Sequence, residues 1–191
     1  GIYTAFGAGS AATNENATAI GEKAEASGTQ STAVGRQSLA SKHDATALGT
    51  VSKAMGERAT AIGVLTKANR KCSTAVGALA VADGILSQAF GANATASGEN
   101  SSAVGSYATS SNSRSTAIGT GSATTRDDQL MLGKAATEVT VANLSGTGTS
   151  LIVANADGTL SRSTISDNGL ESLNCEGNGT DAVCYGPGAN A

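Results

Sequence analysis

Tryptophan is absent from the 191 residues, which contain only two Phe, three Tyr, one Pro and one His. Aromatic side chains make up 3% of the chain and charged ones 14%. Large apolar groups bury far more area than an alanine methyl, so their scarcity excludes a single large interlocking core. A formal net charge of −3 supplies no basic field of the kind that phosphate backbones require, which excludes nucleic acid as a partner. No run of eighteen apolar residues occurs and the chain opens Gly1-Ile2-Tyr3, so neither a membrane span nor a secretory leader is expected within it. His43 stands beside Asp44 with no nucleophile in view, and Cys72, Cys175 and Cys184 have no metal-ligand spacing. No catalytic residue, metal site or cofactor is therefore expected. Gly146-Thr-Gly-Thr-Ser150 has the glycines of a phosphate cradle but not its lysine.

What remains is Ala, Ser, Thr and 25 Gly, a composition that allows disorder unless the order of the residues forbids it. The order does forbid it. Apolar-Gly pairs recur as Phe6-Gly7, Ile20-Gly21, Val34-Gly35, Leu48-Gly49, Ile62-Gly63, Val76-Gly77, Phe90-Gly91, Val104-Gly105, Ile118-Gly119 and Leu132-Gly133, each glycine fourteen positions after the last. Alanine stands two places before nine of these glycines, and Met131 replaces it in the tenth copy. Small residues follow at plus three and plus five. Half-way through the repeat comes a second marker, Asn14, Gly28, Gly56, Gly84, Gly98 and Asn112. Gly and Asn enter left-handed backbone cheaply, so each repeat is expected to turn two corners between two short strands. Such a strict period favours a parallel β-solenoid, one coil per repeat, over an antiparallel meander. Ten coils at roughly 4.8 Å each would stack into a rod on the order of 45 to 50 Å long.

Side chains alternate faces along a strand. Ala19, Ala33, Ala47, Ala61, Ala75, Ala103 and Ala117 are therefore expected to line a thin interior with the small residues at plus three and plus five. The column Phe6, Ile20, Val34, Leu48, Ile62, Val76, Phe90, Val104, Ile118 and Leu132 would then point off the roll. Covering these side chains, at roughly 1.5 to 3 kcal/mol each, favours self-association along a common axis. Spacing does not choose between two and three subunits, and the opposite assignment, bulky residues inside, stays open. A basic group (Lys53, Arg58, Lys67, Arg70 and Lys71) covers the middle coils, either as a solvated edge or as a seat for an acidic ligand.

The units Ala17-Thr-Ala-Ile-Gly21, Ser31-Thr-Ala-Val-Gly35, Ser73-Thr-Ala-Val-Gly77 and Ser115-Thr-Ala-Ile-Gly119 closely resemble the head repeats of YadA-like trimeric autotransporter adhesins. Thr125-Arg-Asp-Asp-Gln-Leu-Met-Leu-Gly133 is similar to the coil that closes many such heads. The resemblance, which covers residues 1–136, implies an all-β, left-handed parallel β-roll assembled as a homotrimer. It further implies type V secretion and display on the bacterial surface by an outer-membrane anchor absent from this fragment. It also implies a virulence-related, non-enzymatic role in attachment to extracellular matrix, cell-surface or abiotic ligands. An ice- or surface-binding solenoid, suggested by the Thr column at minus three, and a phage tail-fibre segment are the alternatives.

Beyond the roll, residues 137–170 read as a small β connector: Glu138–Ala142 and Leu151–Leu160 alternate, with a hairpin turn at Asp157-Gly158. Residues 171–191 hold a Gly/Asn-rich loop that a Cys175–Cys184 disulfide could close. Val183-Cys-Tyr-Gly186 then repeats the head pattern in a new register, as if a second roll began there.

Overall fold

A computed structural model describes residues 1–134, Thr137 and four strands beyond them, Ser150–Ala154, Leu160–Ser166, Asn174–Glu176 and Val183–Tyr185. The chain forms two units, Gly1–Glu138 and Val139–Ala191. All the described regular structure is strand.

In the first unit the chain winds through two parallel sheets. Wall A has ten strands, from Thr4–Phe6 to Leu130–Leu132, and wall B has eight two-residue strands, from Ala11–Ala12 to Thr109–Ser110. Residues fourteen apart are register partners throughout, for example Ala47 with Ala61 and Ala54 with Ala68. Wall B ends in a single bridge from Thr109 to Ala123. Nine coils thus close on both walls and the tenth supplies a wall A strand alone, one circuit fewer than the ten that the repeat count predicts.

The interior is as thin as the composition demands. A typical coil sends Ala45 and Ala47 inward from wall A and Ser52 and Ala54 from wall B, all four fully buried. Ala19, Ala33, Ala61, Ala75, Ala103 and Ala117 are buried in the same way. Ala5 is exposed because the first strand has a neighbour on one side only. Most interior hydroxyls are satisfied close to home. Ser31, Ser52, Ser87 and Ser122 each donate to the carbonyl three residues back, at the preceding corner (2.6, 2.9, 2.7 and 2.8 Å). A buried serine held this way costs the thin core little.

The two corners differ from expectation in one respect. At the first corner the repeat glycines do take backbone closed to side chains: Gly77 has φ +130°, and a Cβ there would lie 2.6 Å from the carbonyl group of Gly91. At the second corner Gly28, Gly56, Gly84 and Gly98 are not left-handed. Glycine is needed there for close approach, since a Cβ on Gly28 or Gly56 would run into the carbonyl of Lys42 or Arg70 one coil on. The left-handed residue comes two places later at both corners, and recurs every seven residues from Gly9 to Asp128 without a gap. Most of its occupants are not glycine, among them Lys23 (φ 53°), Gln37 (56°), Val51 (59°) and Leu65 (57°). Hydrogen bonds between coils hold them: Lys23 N–H donates to Ala8 O at 2.9 Å, Val51 to Arg36 O at 2.9 Å and Leu65 to Thr50 O at 3.0 Å.

In the second unit Ser150–Ala154 pairs antiparallel with Leu160–Ser166. Val183–Tyr185, expected to open a second roll, pairs antiparallel with Asn174–Glu176, a hairpin ladder instead of the parallel ladder of a coil. The expected strand Glu138–Ala142 and the Asp157-Gly158 turn lie outside the described residues.

Candidate adhesive surfaces

Because alternate residues of wall A face opposite ways, burying the alanines forces the bulky residues out. Phe6, Ile20, Ile62, Phe90, Val104, Ile118 and Leu132 are exposed by 37 to 75%, and Val34, Leu48 and Val76 are half-buried by their neighbours in the column. Thr18, Thr32, Thr46, Thr60, Thr74 and Thr116 flank them, also half-buried. The parallel register stacks Leu48 on Ile62 and Ile62 on Val76, so the apolar groups form one continuous stripe along the wall.

The basic residues do not form one field. Lys53 and Lys67 are register partners facing outward from wall B. Arg58, Arg70 and Lys71 sit at the second corner, where Glu57 takes two of them: Arg58 Nη2 lies 3.6 Å and Lys71 Nζ 3.8 Å from its carboxylate. Exposed pairs of this kind contribute little to stability, but they neutralise much of the corner's charge.

Wall B also carries a shallow open groove of about 330 Å³ that sequence reasoning missed, lined by Lys23, Glu25, Gln37, Ser38, Leu39, Val51 and Lys53. Leu39 is the register partner of both Glu25 and Lys53, so an apolar floor lies between an acid and a base. The sequence signal was the one leucine in an otherwise polar run at plus four from Glu25 to Lys67. The corner doublets Val64-Leu65 and Ile85-Leu86, all four exposed, were missed as well.

At the closing coil Arg114 grips Asp128 through Nε and Nη2 at 2.6 and 2.8 Å, and Asp127 accepts from Ser113 N–H at 3.0 Å. The Arg114 hydrogen bond holds the Asp128 carboxyl below the usual range, and the same bond raises the guanidinium. Met131 replaces alanine on the inner side of this coil, half-buried where the interior ends.

His43 Nδ1 lies 2.8 Å from Asp44 Oδ2 in an exposed pair at a corner. Among the described residues no group of His, Cys, Asp and Glu could hold a metal ion. Cys72 is free and half-buried. Cys175 and Cys184 are opposite one another in the antiparallel ladder of the second unit.

Residues 4–24, 12–38, 26–52, 40–64, 54–80, 82–108 and 96–122 match the family described as the YadA head domain repeat (2 copies). Among solved structures, the crystal structure of the collagen-binding domain of Yersinia adhesin YadA is similar to this chain. The two share 27% identity with a TM-score of 0.60, over 76% of this chain and 81% of that one. No curated protein matches.

Proposed function

The chain belongs to the YadA head domain repeat family, and from that premise we propose that it works as a homotrimer, displayed on a bacterial surface, that grips an extracellular matrix protein. Family and fold are those of an adhesin head and not of an enzyme.

The observation that carries the self-association is the apolar stripe of wall A, while the number three rests on the likeness to trimeric adhesins. The interior of the roll has no room for these side chains, and a contiguous exposed stripe of this length marks an interaction face. Three copies turned inward about an axis parallel to the rod would bury it in a shared second core and leave wall B facing out. Display would follow from an outer-membrane anchor of the type V secretion pathway carried elsewhere in the protein, and attachment of this kind serves virulence.

The ligand class rests on the similar Yersinia domain, a collagen-binding domain. A trimeric head offers every outward feature three times, so weak contacts add through avidity and no deep pocket is required. The wall B groove and the lysine pair beside it are the proposed contact region, with Leu39 as floor and Lys53 and Lys67 as partners for acidic side chains.

The test is light scattering on purified protein, followed by binding of the trimer to immobilised collagen, fibronectin and bare plastic. The trimer should bind at least one matrix protein, and charge reversal at Lys53 and Lys67 should weaken that binding. Binding to plastic alone would overturn the matrix assignment, and intact binding by the reversed variant would remove the lysines from it.

A further inference from the structure

Both edges of the roll turn apolar at the same coils. On the first edge, just past the repeat glycines, Val64, Leu65 and Leu79 are exposed by 49, 43 and 47%. On the second edge Ile85 and Leu86 are exposed by 46 and 47%, one coil on from half-buried Cys72. Half-buried Val51 carries the first edge one coil further back, and beyond it the equivalent positions are polar, Gln37 and Asn93 on the first edge and Arg58 and Asn100 on the second, with Tyr107 standing apart, two coils beyond Leu79. Leu65, Leu79 and Leu86 hold φ values of 57°, 60° and 58°, in backbone that Asn or Gly adopts with less strain. Leucine there is unfavourable to the backbone whatever surrounds it, and unfavourable to solvation unless something covers it.

Symmetry says what can. Any rotation about an axis parallel to the rod that brings wall A of several copies together keeps equivalent coils level. It also sets the first edge of one copy beside the second edge of the next. Height rises about 4.8 Å per coil, so Cys72, seven residues from both Leu65 and Leu79, is level with each to within about 2.4 Å. The two apolar segments therefore meet. The belt is also continuous with the stripe, because Leu65 follows Ile62, and Leu79 follows Val76, by three residues around the first corner.

Resting on the trimer reading above, we propose that Val64, Leu65 and Leu79 of one copy pack against Cys72, Ile85 and Leu86 of its neighbour. This makes a mid-rod belt of seams between subunits, distinct from the axial core. Its occupant is a second copy of this chain. Lys71 intrudes only with its alkyl stem, since its ammonium turns to Glu57.

Cys72 supplies the probe. Leu65→Cys and Leu79→Cys, each made in the full chain carrying Cys175→Ser and Cys184→Ser, would be oxidised with diamide and run on non-reducing denaturing gels. Leu65 and Cys72 lie on opposite edges of one protomer, so a disulfide can form only between copies. The expected result is a covalent trimer from one or both variants, lost on Cys72→Ser and absent from Gln37→Cys, which has no thiol level with it. If light scattering shows a trimer but neither variant cross-links, and the new thiols react freely with a maleimide, the belt is overturned while the trimer stands and the edges are open to another ligand. A monomer in solution overturns the trimer and the belt together.

Discussion

A four-residue inner set limited to Ala, Ser and Thr leaves each coil almost no apolar area of its own, so individual hydroxyls matter more than they would in a thick core. Ser87 and Ser101 occupy equivalent wall A positions in successive coils, both fully buried. Ser87 Oγ donates to Gly84 O at 2.7 Å, whereas Ser101 Oγ has no partner. Ser87→Ala is expected to destabilise the roll by about 1 kcal/mol and Ser101→Ala to leave it unchanged or slightly more stable, measured by denaturant unfolding. The exchange of Ala and Ser at such positions is also where the sequence was easiest to read. Small residues at fixed offsets favoured a thin lining with Phe6 through Leu132 outside, and the burial of the alanines decides it against the opposite assignment. The left-handed residues were not legible. Gln37, Val51 and Leu65 carry no local preference for that conformation, and it is imposed on them by hydrogen bonds from the coil beneath, a tertiary constraint that residue type does not reveal. Glycine at the half-way marker was noticed for the wrong reason: it makes room for a neighbouring carbonyl and does not supply a positive φ.

At the scale of the coil, stability passes from neighbour to neighbour through the parallel ladders, as in other one-dimensional repeats. Gly77→Ala combines a φ almost closed to L side chains with a Cβ 2.6 Å from the Gly91 carbonyl group. It should cost about 2 to 4 kcal/mol. Hydrogen exchange should localise the loss to the coils on either side, and uniform exchange along the rod would contradict this coupling. The tenth coil, with no wall B strand of its own, is held by its wall A ladder to Thr116–Ile118 and by the exposed Arg114–Asp128 clasp. The folded Asp128 carboxyl titrates below its unfolded value, so its stabilising effect is complete above the unfolded pKa of about 4 and is lost as pH falls through the folded one. Asp128→Asn should therefore lower Tm at pH 7, and the difference from the parent should be smaller at pH 2. An equal gap at both pH values would assign the residue a role other than its charge. The existence of this coil was legible in Met131, which breaks the alanine column, but its clasp was not, because Arg114 and Asp128 come together only when the coils stack.

For the whole molecule, the separation of a thin private interior from a bulky outward stripe makes assembly and folding separable. Ile62→Glu with Val76→Glu leaves every buried alanine in place, so the variant is expected to sediment as a monomer with the parent's β-sheet circular dichroism. A trimer from this variant would remove the stripe from the proposed subunit contact. The left-handed residue recurs every seven residues, whereas the glycines of the first corner and the chemistry of the walls recur every fourteen. Excision of one whole repeat would shorten the rod by about 4.8 Å and return each later residue to the side it came from. Removing seven would keep the left-handed residues in step, yet it would bring side chains such as Lys42 or Arg70 to the corner that glycine alone fits and move the greasy seam from one wall to the other part-way along. Reach can therefore be edited only in steps of fourteen codons, like links taken from a chain, with the cross-section untouched.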